Sequence, residues 1–280
     1  MKASNVDGSA SQRAALELRY GPDAMPAAGP WNDAIGLMLD HRSVRGFKPD
    51  PLPAGTLETM MAAAQSAATS SNLQTWSVVA VSNPATRAEF AKIANNQKHI
   101  EQCPLFLTFL ADLSRLERLG QQEKVDLETL PYLETFLVAA IDAALAAQNA
   151  VLAAESLGLS TVYIGAMRNN PVRVAELLKL PKQAMCVFGL CVGYAADGVT
   201  NAVKPRLPQS AIVHQEHYSG ANDREVRKDY DEVLGRYSRE QEMSQYSWTE
   251  RVLSRTQALK AMSGRHTLRE ALAALGIQAR

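Results

Sequence analysis

Cysteine is scarce in this 280-residue chain, which has three, at positions 103, 186 and 191. An odd count at irregular spacing gives neither a disulfide framework nor a zinc pattern. Each cysteine borders an apolar run, PLFLTFL or MCVFGLCV, so the three read as small buried hydrophobes in a reducing compartment. Net charge is also lacking, with 29 Lys and Arg against 29 Asp and Glu. That balance gives no global footprint for nucleic acid or an anionic membrane, and any anion site has to be local. The first thirty residues contain no apolar core of a secretory signal, and no window approaches the roughly 20 apolar residues of a membrane span. A soluble, cytoplasmic protein is expected. Familiar fingerprints are missing too. There is no GxGxxG after a strand, no GxxxxGKS or GxxxxGKT, no GxSxG elbow and no HExxH. His214 and His217 have metal-compatible spacing but no evident third ligand, so no metal is expected.

What is present is apolar material, 46% of the residues, enough for a sizeable core. Residues 1–30 are rich in Ala, Gly, Ser and Pro and read as a poorly ordered or surface-wrapping arm, with a short helix around Ala14–Tyr20. Residues 31–280 form the body. Asn32 or Asp33 caps a helix through AIGLMLDHR, and a second helix runs from about Thr56 to Thr69. Asn83-Pro84 and Asn170-Pro171 each open a helix with a cap followed by proline. Apolar strands are read at WSVVAVS, PLFLTFLADL, STVYIGAM and MCVFGLCVGY. Leu133 to Leu157 is a long, alanine-dense helix ended by Gly158, apolar almost all round and therefore buried on most sides, which fits a central helix at a subunit interface. Residues 114–131 are charged without clear periodicity and look like a mobile loop or a short excursion over the body of the protein. From about Asn222 the chain is helical and polar. Few buried strands mixed with helices point to a layered α/β or α+β sandwich, with helices on both faces of a small sheet.

Five clusters carry chemistry. His41-Arg42-Ser43-Val44-Arg45 ends the first body helix. Its cations either cap that helix through the macrodipole or form an anion clamp, since guanidinium offers planar, bidentate donors suited to phosphate. Lys204-Pro205-Arg206, in the loop after an apolar strand, is a candidate for the other side of the same anion. Thr69 to Gln74 is either a polar helix terminus or a bank of donors to a polar ligand. Tyr163-Ile164-Gly165-Ala166-Met167-Arg168 ends a strand, and Gly165 there lets the backbone come close to a flat ring. Asn96-Gln97-Lys98-His99 follows a helix.

Taken in order, HRSVRGF, ATSSNLQTWS, NNQKHI, AAQNAVLAAESLGLSTVYIGAMRNNP, VFGLCVGYAAD and VKPRLP resemble the FMN-dependent nitroreductase superfamily. The nearest group is the oxygen-insensitive NADPH nitroreductases and flavin reductases. The resemblance covers roughly residues 32–280. It implies an α+β fold, a three-layer sandwich with a small mixed sheet between helices, in an interlocked homodimer. FMN would bind non-covalently at the dimer interface. His41, Arg42 and Ser43 would face its phosphate and ribityl chain, Arg45 its pyrimidine edge, and Lys204 and Arg206 would complete the phosphate site. Ser70, Ser71 and Gln74 match a segment that serves the other protomer's flavin. Gln97 matches a ring contact, and Tyr163, Ile164, Gly165 and Ala166 match the strand end under the ring. No catalytic side chain is implied, because hydride transfer proceeds on the flavin, with Arg45 tuning it. NADPH or NADH would be the reductant, and a nitroaromatic, quinone or free flavin the small-molecule acceptor, in a ping-pong cycle.

This chain departs from the family pattern in two places. Ala166 stands where close members have a second glycine, which a negative φ would tolerate. In the nucleotide-binding loop, SREQEMSQYSW, Arg239 matches a contact residue but the following arginines are missing, and Arg265 is a second candidate. The resemblance also leaves room for a specialised flavoenzyme of the same fold with one metabolite as acceptor, or for a flavin-binding protein without catalysis.

Overall fold

The computed structural model describes residues 8–199 and 201–280. The start of the N-terminal arm, residues 1–7, and Thr200 in the loop after the last strand lie outside them. The chain forms two compact units, one from residues 1–42 with 200–261, the other from 43–199 with 262–280.

The second unit is built on four strands: β1 (Trp76–Ala80), β2 (Leu105–Asp112), β3 (Ser160–Ile164) and β4 (Ala184–Gly193). Their order is β1-β2-β4-β3, and every neighbouring pair is antiparallel. The sheet was expected to be mixed, and this is a correction. Among the described residues the parallel contact is a single bridge, Ser43 to Thr161. The misreading has a physical source. β2 and β4 are buried along nearly their whole length, and a continuously apolar strand is also the signature of parallel sheets.

Burial on both sides follows from two clusters. On one face Leu107, Phe109 and Ala111 of β2 meet Met60 and Ala64 of α3 (Thr56–Gln65) and the alanines of α7 (Leu133–Ser156). On the other, Phe106 and Leu110 meet Phe90 of α4 (Pro84–Ile93), Ile100 of α5 (His99–Gln102) and Val174 of α8 (Pro171–Leu178). Residues alternate between the faces because successive side chains of a strand point oppositely. The register shifts once: Phe109 faces Phe188 and Leu110 faces Cys186, so Val187 bulges. The three cysteines are free and buried in this unit, as expected.

α7 is the helix expected from the sequence, one residue shorter, and Gly158 follows it with φ at +77°. It also corrects an expectation. By length and composition it is long and apolar enough to cross a membrane. Ala139, Ala143, Ala146, Ala147 and Ala150 are instead packed into the core, and Asp142 is buried among them. The supposed mobile loop at 114–131 is another correction, because Ser114–Glu123 is a helix, α6. Asp112 starts it by accepting from the Ser114 amide at 3.1 Å, and Lys124 ends it with φ at +58°. Its inner face does carry a helical repeat, with Ser114 and Gly120 buried and Leu116 half-buried between them, but two of these three are not large hydrophobic side chains, so the repeat is faint in a charged stretch.

The first unit contains α1 (Gly8–Tyr20), α2 (Asp33–Leu39), α9 (Asp223–Glu240) and α10 (Trp248–Thr256). Asn32 caps α2, accepting from the Ile35 amide at 3.0 Å. Asp231 of α9 accepts from the Thr249 amide and hydroxyl at 2.9 and 2.6 Å, which fixes the start of α10. α1 begins six residues earlier than the helix read at Ala14–Tyr20. Gln12 ties it to the Gly29 carbonyl at 2.9 Å, so part of the arm is held in place.

Gly189 lies against the Phe106 ring, where a Cβ would fall 2.5 Å from Cζ. The ring is itself braced by Phe90, 5.9 Å away between centroids. Gly189→Ala should therefore lower stability by about 1–3 kcal/mol through overpacking, measured by urea unfolding. Phe106→Leu introduced beside it should recover part of that loss as a non-additive double mutant.

Candidate functional site

In the first unit the two basic segments, about 160 positions apart in sequence, lie together. Arg42 donates to the Asn201 carbonyl at 3.5 Å and pairs with Asp40 at 2.7 Å. A third residue binds the segments to each other. Arg19, only 6% exposed, donates from Nη1 to the Lys204 carbonyl at 2.8 Å and from Nη2 to the His41 carbonyl at 3.1 Å. It also reaches the Leu39 carbonyl. In return the Arg206 amide donates to the Arg19 carbonyl at 2.8 Å. Burial lowers the Arg19 pKa, and the nearby Arg206 guanidinium lowers it further. Buried Tyr230 supports the loop from α9, donating to the Pro205 carbonyl at 2.9 Å. Lys204 Nζ lies 5.9 Å over the Tyr237 ring. The expected partners His41, Arg42, Lys204 and Arg206 are thus neighbours, with the Arg42 and Arg206 side chains exposed. Sequence reasoning missed Arg19, since an arginine in the last turn of a helix in an alanine-rich arm looks like a solvated helix end.

The second unit carries the other candidates. The Val44 amide donates to the Thr161 carbonyl at 3.0 Å, and Ser43 bridges Thr161. This lays the Ser43–Arg45 segment beside β3, whose end bears Tyr163, Ile164, Gly165 and Ala166. Burial and the charge of Arg45 hold the His99 imidazole below its usual range, so His99 lies near that arginine. His99 Nε2 is buried without a hydrogen-bond partner. Gln97, half-buried, precedes it after a turn in which Asn95 and Asn96 both have φ at +60°. Tyr163 donates to Gln148 of α7 at 3.4 Å and meets Phe188 edge-on at 5.2 Å. Burial, and then Glu155, raise the Tyr163 phenol's pKa well above the ordinary range. Gly165 is not left-handed. A Cβ there would lie 3.4 Å from the Arg168 guanidinium, which is pinned to the Val187 carbonyl. Ala166 is buried and is not among the positive-φ residues, so its methyl costs no backbone strain.

Ser70, Ser71 and Gln74 lie in a loop built around buried Asp142. The Asp142 carboxylate accepts from the Thr69 hydroxyl, from the Ser70 amide at 3.1 Å and from the Thr75 hydroxyl at 3.4 Å. Ser71, Asn72 and Gln74 have φ at +48°, +55° and +52°. Three non-glycine residues in that region are costly, and such strain persists only where the surroundings impose it. Thr69, Asn72 and Gln74 line a cleft of about 610 Å³ together with Trp76 and Arg115. Asp142 was also missed. Its signal was one carboxylate in the middle of an otherwise apolar helix.

Of the nucleotide candidates, Arg239 is exposed in the first unit and lines a cleft of about 570 Å³ with Arg227, Lys228, Arg236 and Tyr246. The same cleft is lined by Asp231 and Glu232. Arg265 belongs to the second unit and donates to Asn169 at 2.9 Å, at the end of the turn that begins with Gly165.

One unit is thus a helix-covered antiparallel sheet with a strand end and a strained donor loop, and the other carries a cluster of basic residues. The chain belongs to the nitroreductase family. The family's main domain matches residues 38–194, and its C-terminal domain matches residues 204–280. An "FMN reductase (NADPH)" of Bacillus subtilis is 38% identical over 228 residues, which is 80% of this chain and 91% of that one. An "Oxygen-insensitive NADPH nitroreductase" of Salmonella typhimurium is 39% identical over 203 residues, 72% of this chain and 81% of that one. Among solved structures, the NADPH:FMN oxidoreductase of Vibrio harveyi complexed with NAD+ superposes with a TM-score of 0.79 at 33% identity, covering 89% of this chain and all of that one.

Asp142→Ala should cost about 1.5–3 kcal/mol for a lost hydrogen bond to a charged group, measured by urea unfolding. Amide exchange at Ser70 should accelerate beyond what global unfolding explains.

Proposed function

We propose that this protein is an FMN-dependent NAD(P)H oxidoreductase that reduces nitroaromatics, quinones or free flavin. The observation that carries the reading is the meeting of His41–Arg42 with Lys204–Arg206 around buried Arg19, in a chain of this family. A phosphate monoester carries between one and two negative charges at neutral pH and takes charge-assisted hydrogen bonds from guanidinium. The exposed Arg42 and Arg206 suit that group. The close backbone at Gly165 and the donor loop at Ser70–Gln74 suit a flat ring with polar edges.

FMN held by these residues would supply two-electron redox chemistry between NAD(P)H and the acceptor. The protein's own residues position and bias it. His41, Arg42, Lys204 and Arg206 hold the phosphate, and Ser43 the ribityl chain. Arg45 places a positive charge at the pyrimidine edge, where negative charge grows on reduction, and so favours the reduced state. The backbone at Tyr163–Ala166 supports the ring, and Gln97 contacts it. Ser70, Ser71 and Gln74 serve the second protomer's site. Arg239, with Arg227, Lys228 and Arg236, offers cations for the 2′-phosphate of NADPH, and Arg265 is a further nucleotide contact. A cytoplasmic setting belongs to the same reading, supported by three buried free thiols.

The homodimer rests on the outer face of α7. Leu133, Leu137, Ile141 and Leu145 are 53%, 49%, 49% and 45% exposed. At i, i+4 spacing they form one apolar stripe. A second copy that covered it would remove the stripe from water. Leu137→Glu with Ile141→Glu should convert dimer to monomer in sedimentation equilibrium.

The purified protein should be yellow. Its flavin absorbance should bleach anaerobically on adding NAD(P)H and return on adding a nitroaromatic or quinone. A colourless protein that fails to take up FMN would overturn the proposal. Arg42→Ala combined with Arg206→Ala should weaken FMN binding strongly, since each hydrogen bond to a charged group is worth about 1.5–3 kcal/mol. Retained flavin in that double variant would remove the assigned roles.

A further inference from the structure

Arg19 lies outside both matched family regions, which begin at residues 38 and 204. It sits in the last turn of α1, within a segment that composition alone reads as an arm. Its guanidinium spends its donors on backbone. The Lys204, His41 and Leu39 carbonyls all accept from it. These carbonyls belong to the two segments whose side chains form the anion clamp. Its own carbonyl holds the Arg206 amide at 2.8 Å, so contacts run both ways between α1 and the second segment. The fork geometry matters here. Arginine presents several donors in a rigid plane and can satisfy separate acceptors at once, whereas an ammonium is a compact point donor on a flexible stem. A buried cation held by carbonyls also adds positive potential to the clamp without being solvated itself.

We propose that Arg19 is a positioning residue for the cofactor phosphate. By bonding both basic segments through their backbones, it presets their spacing, and the N-terminal helix thereby becomes part of the anion site. The inference rests on the FMN reading above and adds to it a residue, and a segment, that neither matched region contains. Mutual repulsion among the clamp cations has the same consequence. Arg206 and Arg19 oppose each other's charge, so an anion bound between the segments relieves an unfavourable arrangement that Arg19 maintains.

The test compares FMN with riboflavin, which carries the same ring and ribityl chain but no phosphate. Each is titrated by fluorescence quenching into the apoprotein of the full chain, for wild type, Arg19→Met and Arg19→Lys. For Arg19→Met we expect FMN affinity to fall at least tenfold while riboflavin affinity stays within twofold. Arg19→Lys, which keeps the charge but not the fork, should recover only part of the loss. Equal weakening of both flavins would show a merely structural role and overturn the inference, as would no change in either. Should Arg19→Met fail to fold by circular dichroism, Arg19→Lys decides alone, and an unchanged FMN-to-riboflavin ratio in it rejects the proposal. Failure of the underlying reading looks different: wild type itself would then bind FMN no more tightly than riboflavin.

Discussion

Burial of one small sheet on both of its faces is the constraint on which the larger unit depends. β2 and β4 have almost no solvated surface, so each of their side chains is assigned to one of two apolar layers. The outer elements are then placed by what they cover. α3 and α7 close one layer, and α4, α5 and α8 close the other. Functional groups can appear only at the margins of this block, where strands end and connections turn. Tyr163–Ala166, the Asn95–Asn96 turn before Gln97, and the Ser70–Gln74 loop all lie at such margins. Chemistry on a rigid frame's edges is the usual economy of enzymes.

α7 joins these themes because its three kinds of residue do different work. Its alanines let α3 and the sheet approach closely, which a bulkier helix would prevent. Its single buried carboxylate, Asp142, anchors both ends of a serine-rich loop, at Thr69–Ser70 and at Thr75, between which the left-handed residues lie. Its outer leucines and Ile141 remain uncovered within one chain. An alanine-rich helix loses little side-chain entropy on packing, which suits an element committed on several sides.

Much of this was legible in the sequence, and the reasons are local. Asn-Pro pairs announced α4 and α8 because capping and proline geometry are decided within four residues. The four strands were legible from β-branched apolar runs, and the end of α7 from Gly158. Candidate site residues were legible in order, because the family's motifs recur at similar spacing. The rest depended on contacts that no short window contains. Strand direction is a property of partners, and apolar strands buried on both faces do not encode it. α6 turns inward a narrow face of mostly small residues, Ser114 and Gly120 among them, so its repeat is faint among its charges. Arg19 bonds backbone 20 or more residues away and Asp142 bonds groups 67 or more residues away, so no short window shows their partners. Arg239, read from the sequence as part of a loop, lies on α9 with Arg227, Lys228 and Arg236, whose common face only the helix brings together.

The bulge at Val187 has a further consequence. Before it, Met185 and Val187 point toward the α7 layer. After it, Leu190 and Val192 do, so the odd-even code of β4 changes midway. The strand is in effect two short phrases written in opposite phase and joined at one extra residue. Deleting that residue would leave Phe188 opposite Phe109 and Cys186 opposite Leu110 and restore unbroken alternation along β4, with Cys191 and Val192 keeping their layers. The bulge is therefore the one place in β4 where the chain could shorten by a residue without turning a half of the strand over, whereas a residue lost elsewhere would exchange the layers of everything beyond it.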